Sequence, residues 1–340
     1  MKPKVIIHNI GPATTLQDMG RPGYLAYGLT RGGAADPLAL HEAAALLGQS
    51  PDCAAFEMVG TGGSFEMTQD TIIALTGAVM DAKIDGVGLT WNATHVLPAG
   101  ARLIIGGTRA GNYGYLSVAG GVDAPAFMGA RATHLNAGIG TTLSAGAALP
   151  LGQSAKPEPG NTLLPDNRLS GGIVRIVPSM QTDQFSEDTR NRFVTTTFQR
   201  DPRANRMGVR MDQPGEGFSA ADTLSIVSEV IVPGDIQITG DGAPFVLMCE
   251  CQTTGGYPRI GTVIPSDLPK IAQAPAGAEI RFQFVTRDEA VDIERRARVD
   301  LKKLSQRVHP LIRDPHKIQD LLSYQLISGA ISASADPFVS

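Results

Sequence analysis

Hydrophobic residues in this 340-residue chain occur in short runs that end at glycine or proline after a few positions. In the first half the runs are 71–75, 102–105 and 113–119, and in the second half they are 172–177, 235–239, 244–251 and 279–285. Runs of this length between turn residues are typical of strands in a β-barrel or sandwich. The pattern therefore predicts a mostly β protein whose strands form two groups.

One helix interrupts the first group of strands. Asp36 followed by Pro37 is an N-cap followed by proline at the first helical position, and Leu38–Leu47 is strong helix-forming sequence. Gly48 ends the segment, as glycine commonly does at a helix C-terminus. We predict a helix over 37–47.

A helical tail is predicted after the last strand. Thr286 and Glu289 form a capping box, and apolar residues then recur at spacings of three and four up to Val308. A second, shorter helix is predicted over 314–329, because Asp314 precedes a proline and leucines follow at helical spacing.

The boundary between the two groups lies in a segment rich in Gly, Pro, Asn and Ser over 152–172, which is typical of a linker. The predicted organisation is a first domain over 1–155, a linker over 156–172, a second domain over 173–286 and a tail over 287–340.

Composition supports the β prediction and excludes several partners. The chain has 39 glycines, 23 prolines and only 18% charged residues, which suits many turns and short strands. Its net charge of −4 gives no electrostatic reason to expect nucleic acid or an anionic membrane as partner. With no apolar run of about 18 residues and only three cysteines, we expect a cytoplasmic protein.

Several common catalytic motifs are absent. No glycine is followed directly by lysine, so the phosphate-binding loop of a P-loop ATPase is missing, and there is no G-x-S-x-G nucleophile elbow. The six histidines are scattered without metal-ligand spacing, and we predict no metal site.

Two polar clusters remain as candidate sites. The first covers 14–24 and 31–36, and the second covers 205–210, 252–259 and 267–273. Loops that mix glycine with Arg, Gln, Asp and Lys suit a small anionic or amide substrate.

Each of these residues also has a structural interpretation. For Asp36, the interpretation as a helix N-cap is preferred to that as a ligand. Asp18 and Arg21 can pair across a turn, and Asn205 can form an Asx-turn. Lys270 is a surface lysine, a point charge or a base with a tuned pKa, in a region where lysine is scarce.

The same clusters carry a resemblance to a known family. The matching stretches are TTLQDMGRPGY, GGAADPLAL, FEMVGTGGSFE, IALTGA, YLSVAGGV, NRMGVRM, PGDIQITGDGAPFVLM, QTTGGYPRIGTVIPSDLPKIAQ and PAGAEIRF. In these the chain resembles the carboxyltransferase-domain family found in urea carboxylase, in allophanate hydrolase subunit 2 and in the C subunit of 5-oxoprolinase. The resemblance covers roughly residues 11–285.

This resemblance implies two tandem cyclophilin-like β-barrel domains and a role as one subunit of an ATP-dependent enzyme that acts on a small lactam or urea-like amide. It implies a partner subunit of the same family, similar to allophanate hydrolase subunit 1, and ATP used by the complex rather than bound by a P-loop here. The family's site pattern, carried over by position, implies catalytic roles for Lys270, Asn205 and Gln273. It implies substrate-binding roles for Gln17, Asp18, Arg21, Arg206 and Tyr257.

The chain departs from the family pattern in ways that rank the candidate functions. Ala44 stands where the family has an asparagine, and no A-M-K-M biotin-attachment signal is present. We therefore expect a 5-oxoprolinase-type subunit first. Carboxyl transfer from biotin on another chain is the second candidate, and a non-catalytic regulatory subunit is the third.

Lys270 gives the sharpest expectation from the sequence. If it polarises a substrate carbonyl or carboxylate, Lys270→Ala lowers turnover by about 10²–10³-fold, whereas a surface lysine such as Lys83 changes it little.

Overall fold

The computed structural model describes residues 2–155, 157–219 and 228–312, and the helix predicted over 314–329 lies outside this range. The predicted mostly β fold is confirmed, with four α-helices among the described residues. Within the same ranges, no helix combines the length and the apolar character needed to cross a membrane.

The first half of the chain builds an 11-stranded sheet. Its first ten strands are Lys4–Ile10 (β1), Thr15–Gln17 (β2), Ala55–Val59 (β3), Gly63–Met67 (β4), Thr71–Ile84 (β5), Val87–Gly88 (β6), Ala93–Leu97 (β7), Arg102–Val118 (β8), Ala148–Pro150 (β9) and Asn161–Thr162 (β10). The main order is β10-β7-β5-β8-β4-β1-β9, and β2 and β3 join it through β8.

The two longest strands, β5 and β8, form the centre of this sheet. They pair antiparallel along most of their length, with shifts in register between Gly77 and Ala82. Gly77 has φ +73°, and a side chain there would lie 2.5 Å from the carbonyl oxygen of Tyr113. Only glycine fits this close approach beside Tyr113 and Tyr115 of β8, two residues that pack into the buried cluster shared with the second half.

The second half contains a closed seven-stranded barrel in the order β11-β18-β15-β16-β13-β12-β19. The strands of this half are Gly172–Val177 (β11), Phe198–Arg200 (β12), Gly208–Asp212 (β13), Glu229–Val230 (β14), Asp235–Ile238 (β15), Pro244–Leu247 (β16), Thr254–Gly255 (β17), Arg259–Val263 (β18) and Glu279–Phe284 (β19). Strands β14 and β17 form a separate two-stranded antiparallel sheet.

Four helices pack around the strands: Pro37–Leu47 (α1), Glu187–Thr195 (α2), Leu268–Gln273 (α3) and Arg287–Lys302 (α4). The predicted bounds of α1 are confirmed. The capping box between Thr286 and Glu289 is confirmed at the start of α4, which ends at Lys302 and is followed by a 3₁₀ turn over Leu304–Arg307. Asp36 lies at the N-cap position of α1, but its side chain makes no capping hydrogen bond.

The chain returns to the first sheet after the second barrel. Strand His309–Pro310 (β20) pairs with β10, which itself pairs with β7. Strand β10 lies within the segment that the sequence predicts as a linker. Residues 172–284 of the barrel are thus an insertion between two neighbouring strands of the first sheet.

One hydrophobic core joins the two halves. Ala39 and Leu40 of α1 and Tyr113 and Tyr115 of β8 belong to the same buried cluster as the barrel's own phenylalanines and isoleucines. The interface between the halves is therefore as well buried as a domain core, and the polar groups within it need partners.

Candidate functional site

A cleft of about 1040 Å³ opens where α1 and α4 meet the loops of both halves. Its wall includes Met19, Arg31, Gly32, His41, Glu42, Asp166, Cys249, Leu268, Pro269, Glu294, Arg298, Asp300 and Arg307. None of the eight residues implied by the family resemblance lines the cleft, but Met19 and Pro269, the chain neighbours of Asp18 and Lys270, do. The volume suits a small molecule.

Behind the cleft, Arg206 connects the two halves through buried ion pairs. Its Nε donates to Glu250 Oε1 at 2.5 Å, its Nη1 donates to Glu57 and its Nη2 donates to the carbonyl oxygen of Gly33 at 2.6 Å. Both carboxylates are at most 1% exposed. All three nitrogens of Arg206 thus have partners within the protein, and we assign this side chain to joining the halves.

Glu57 extends this network into the first sheet. Its Oε2 accepts a hydrogen bond from the Tyr115 hydroxyl at 2.6 Å and another from the backbone N–H of Ala35 at 2.8 Å. The Tyr115 hydroxyl in turn accepts from the backbone N–H of Asp36 at 2.9 Å. Burial and the charge of Glu57 raise the pKa of Tyr115 well above its ordinary value, so it remains a neutral donor.

A second buried group centres on Asp36, whose side chain binds across the interface instead of capping α1. Its Oδ2 accepts from Arg168 Nε at 2.8 Å and from Gln273 Nε2 at 2.7 Å. Arg168 also makes a bidentate pair with Glu42, at 2.8 and 2.6 Å. The predicted N-cap position of Asp36 is confirmed, but its carboxylate does not cap the helix, because Arg168 and Gln273 bind it.

Gln273 is fully buried and uses both ends of its amide. Its Oε1 accepts from the backbone N–H groups of Asn112 and Tyr113, each at 3.0 Å. Its Nε2 donates to the Tyr113 carbonyl oxygen at 2.9 Å as well as to Asp36. These contacts tie α3 of the second half to β8 of the first.

Glu42 borders the cleft, and burial raises its pKa to about 7 although Arg168 acts in the opposite direction. The folded protein keeps the Glu42 carboxyl protonated up to a higher pH than the unfolded chain does. Its contribution to the unfolding free energy is therefore complete below its ordinary pKa of 4.5. The contribution is lost as the pH rises to about 7.

We therefore expect the unfolding free energy of the wild type to fall relative to Glu42→Gln by up to about 3 kcal/mol between about pH 5 and about pH 8. Urea denaturation of both proteins across this range measures the difference. Parallel pH profiles would show that Arg168 keeps Glu42 ionised throughout.

Arg21 is only 1% exposed, yet two of its three side-chain nitrogens have no hydrogen-bond partner among the described residues. Its Nη2 donates to the carbonyl oxygen of Ala132, while Nε and Nη1 are unpaired. Burial lowers the pKa of Arg21 from its ordinary value, an effect that the charges of Asp18 and Glu250 oppose.

Asp18 and Gln17 hold the loop around Arg21. Asp18 accepts from the backbone N–H groups of Gly20 at 2.8 Å and Arg131 at 2.6 Å. Gln17 Nε2 donates to the Thr133 carbonyl oxygen at 3.0 Å, and its buried Oε1 has no partner among the described residues. The direct Asp18–Arg21 pair considered from the sequence does not form, because backbone groups take both oxygens of Asp18.

His134, which sequence reasoning missed, lies beside Arg21. Its Nε2 lies 3.0 Å from Thr30 Oγ1, and its Nδ1 accepts from the backbone N–H of Ala137 at 3.2 Å. Glu250 Oε2 is 3.7 Å from Nδ1. Burial lowers the pKa of His134, and the charges of Arg21 and Arg206 lower it further against the effect of Glu250, so the ring is neutral.

Three of the residues implied by the resemblance lie apart from this group. Lys270 Nζ donates to the Ile173 carbonyl oxygen at 2.9 Å and lies 3.1 Å from Asp267. Asn205 is exposed, and its Oδ1 accepts from the backbone N–H of Met207 at 2.8 Å, as in an Asx-turn. Tyr257 is half exposed. Of the other five, Gln17, Asp18 and Arg21 lie on one segment of the first half, whereas Arg206 and Gln273 belong to the two buried groups between the halves.

The buried carboxylates of the network left a signal in the sequence. Glu57 and Glu250 each interrupt an apolar stretch, in AFEMV and MCEC. A carboxylate among strand residues needs a buried partner, so these positions predict arginines nearby.

Comparison with known proteins places the chain in a family. The model of the carboxyltransferase domain, subdomain A and B, matches residues 27–284. The C subunit of 5-oxoprolinase from Escherichia coli K12 is 33% identical over 304 residues, covering 88% of this chain and 97% of that protein.

More distant relatives are longer. The urea amidolyase of Saccharomyces cerevisiae is 26% identical over 86% of this chain but only 17% of its own length. The crystal structure of TTHA0988 superposes with a TM-score of 0.73 at 28% identity, covering 83% of this chain and 55% of that one. The Kluyveromyces lactis urea amidolyase, at 23% identity and a TM-score of 0.80, shares the fold over 93% of this chain and 21% of its own.

Proposed function

Because this chain belongs to the carboxyltransferase-domain family, subdomains A and B, we propose that it is a subunit of an ATP-dependent amidohydrolase of the 5-oxoprolinase type. The observation that carries the proposal is the match to the C subunit of a 5-oxoprolinase along 97% of that relative's length. The substrate is a small lactam or urea-like amide, and the cytoplasm is the proposed location.

The cleft has the size and polarity that a small amide requires. It places guanidinium donors and carboxylate acceptors around apolar surface from Leu268 and Pro269. An amide offers one acceptor and one or two donors, so both types of group are needed to orient it.

We assign ATP to a partner subunit rather than to this cleft. Its described wall has three arginines, Arg31, Arg298 and Arg307, and four carboxylates, Glu42, Asp166, Glu294 and Asp300. A triphosphate needs a surplus of positive charge and backbone N–H groups directed at it, and this wall has no such surplus.

A partner subunit similar to allophanate hydrolase subunit 1 is part of the proposal. The Escherichia coli relative is, by its name, one component of an assembly. In TTHA0988 the matched region is 55% of a longer chain, which supports a second unit beside this one.

The test is an assay of the complex purified with its natural partners. We expect hydrolysis of ATP that depends on 5-oxoproline in the complex and not in the isolated chain. If turnover depends on a biotinyl chain, carboxyl transfer is favoured. If turnover is unchanged without this chain, this chain is a non-catalytic regulatory subunit.

The same complex tests the catalytic role that the family resemblance implies for Lys270. Because its Nζ is held by Ile173 and Asp267, we now expect turnover of Lys270→Ala to stay within about tenfold of Lys83→Ala. Lys83 is an exposed residue of β5 and serves as the matched control. A hundredfold or larger difference between the two variants would support catalysis by Lys270.

A further inference from the structure

Arg200, the last residue of β12, is a buried arginine whose guanidinium has no partner among the described residues. Its side chain is 6% exposed, and none of these residues accepts a hydrogen bond from its guanidinium nitrogens. An arginine side chain does not lose its proton in a protein. A buried charged donor without an acceptor is unfavourable, because water no longer solvates it. The fold alone therefore does not account for an arginine at this position.

The register of the barrel directs Arg200 toward the interior. Arg200 pairs with Met211 across β12 and β13, and residues that face each other in antiparallel strands lie on the same side of the sheet. Met211 is fully buried, as is Phe198 two residues before Arg200. Both belong to the core that joins the two halves. The side chain of Arg200 therefore enters this core instead of the solvent-facing side of the barrel.

The carboxylates in this region have other partners. Asp201 follows Arg200 in the chain, and its Oδ1 accepts from the backbone N–H of Arg203 at 2.6 Å. Its Oδ2 accepts from Arg203 Nε at 3.1 Å. Glu57 is bound by Arg206 within the network between the halves. Neither carboxylate accepts a hydrogen bond from Arg200.

The hydroxyl of Tyr113 also lacks a partner among the described residues, although the backbone of this residue binds Gln273. Tyr113 is 4% exposed. Burial raises the pKa of Tyr113 well above its ordinary value, and the nearby charge of Arg200 acts in the opposite direction. The hydroxyl is therefore a neutral donor close to the guanidinium. Two donors, one from each half of the chain, thus lie near each other without an acceptor.

We propose that Arg200 and Tyr113 bind a small oxyanion between the two halves. Nη1 and Nη2 of the guanidinium form a planar fork that matches two oxygens of a carboxylate or a phosphate, and the tyrosine hydroxyl supplies a third donor. Nε is the nitrogen that is sealed from solvent, and the exposed 6% of the side chain leaves the outer nitrogens accessible to an ion.

The bound ion would connect the barrel to the first sheet, because Arg200 lies on β12 and Tyr113 lies on β8. Neither residue lines the cleft. The inference goes beyond the proposed function and does not depend on it, since it concerns binding by this chain alone.

Thermal unfolding of the full-length chain in chloride, phosphate, bicarbonate and acetate, at equal pH and ionic strength, tests the site. Arg200→Met fills a similar volume without the charge. In chloride this variant should unfold at or above the Tm of the wild type, because an apolar side chain replaces an unpaired buried charge. An oxyanion at about 100 times its Kd should raise the Tm of the wild type by about 4 °C and leave that of Arg200→Met unchanged.

Arg281→Met on β19 is the matched control, since Arg281 is exposed and donates to Thr197 Oγ1 at 2.8 Å. It should keep the oxyanion-dependent rise in Tm. Phosphate also stabilises folded proteins in general by exclusion from their surface, and the control measures that effect. Tyr113→Phe provides a second variant that retains Arg200. Calorimetry should show that it binds the oxyanion about 3–10-fold more weakly than the wild type.

Calorimetry with the three oxyanions also identifies the source of the ligand. Binding of phosphate alone would support an inorganic phosphate site, and binding of acetate or bicarbonate would support a carboxylate site. Equal rises in Tm for the wild type, Arg200→Met and Arg281→Met would overturn the inference. A Tm of Arg200→Met well below that of the wild type in chloride would also overturn it, because Arg200 would then have its partner within the protein.

Discussion

Arg206→Met is expected to lower the free energy of unfolding by about 3–5 kcal/mol, because it leaves the buried carboxylates of Glu57 and Glu250 without their shared cation. The methionine side chain fills similar volume, so the loss reports the charges rather than a cavity. Urea denaturation followed by circular dichroism measures it.

Arg281→Met is the control for this change. Arg281 lies on β19 of the barrel and is exposed, and its side chain donates to Thr197 Oγ1 at 2.8 Å. Its loss should cost at most about 1 kcal/mol. Adding Glu57→Gln and Glu250→Gln to Arg206→Met should recover part of the stability, since no buried charge then lacks a partner. A loss below about 1 kcal/mol for Arg206→Met would mean that water reaches the carboxylates.

Gln273→Leu is expected to cost about 3–5 kcal/mol of unfolding free energy, because four hydrogen bonds between the halves are lost at once. The variant leaves the backbone N–H groups of Asn112 and Tyr113 and the Tyr113 carbonyl buried without this partner, and it takes a donor from Asp36. Thermal or urea unfolding measures the loss.

Gln283→Leu makes the same chemical change on the exposed face of β19 and should alter stability by less than about 0.5 kcal/mol. Comparable losses for the two variants would contradict the role of Gln273 at the interface. A normal stability with reduced turnover in Gln273→Leu would instead support the catalytic role that the family resemblance implies for it.

Much of the fold could be predicted from local pattern. Short apolar runs between turns predicted the strand content, and the Asp36-Pro37 pair and the capping box at Thr286 predicted the starts of α1 and α4. These signals depend on neighbours within a few residues. The pairing of β10 with β20 could not be predicted, because each strand has only two residues and their contact joins positions almost 150 residues apart.

The site was harder to predict because its polar groups are paired with residues that are distant in the sequence. From the sequence, Arg206 and Gln273 are plausible ligands, but the structure shows their donors and acceptors used between the halves. Arg168, within the predicted linker, has no local feature to mark it as the partner of Asp36 and Glu42. Residue type can identify a buried polar group, whereas its partner depends on the tertiary fold.

The pairing of β10 with β20 restricts how the two halves can move. Neighbouring strands lie about 4.8 Å apart, so the barrel enters and leaves the first sheet at almost the same place. A hinge rotation between the halves would shear the buried ion pairs of Arg206. We therefore expect the cleft to change shape by local displacement of α4 or of the loop around Gly32, on a faster timescale than domain opening.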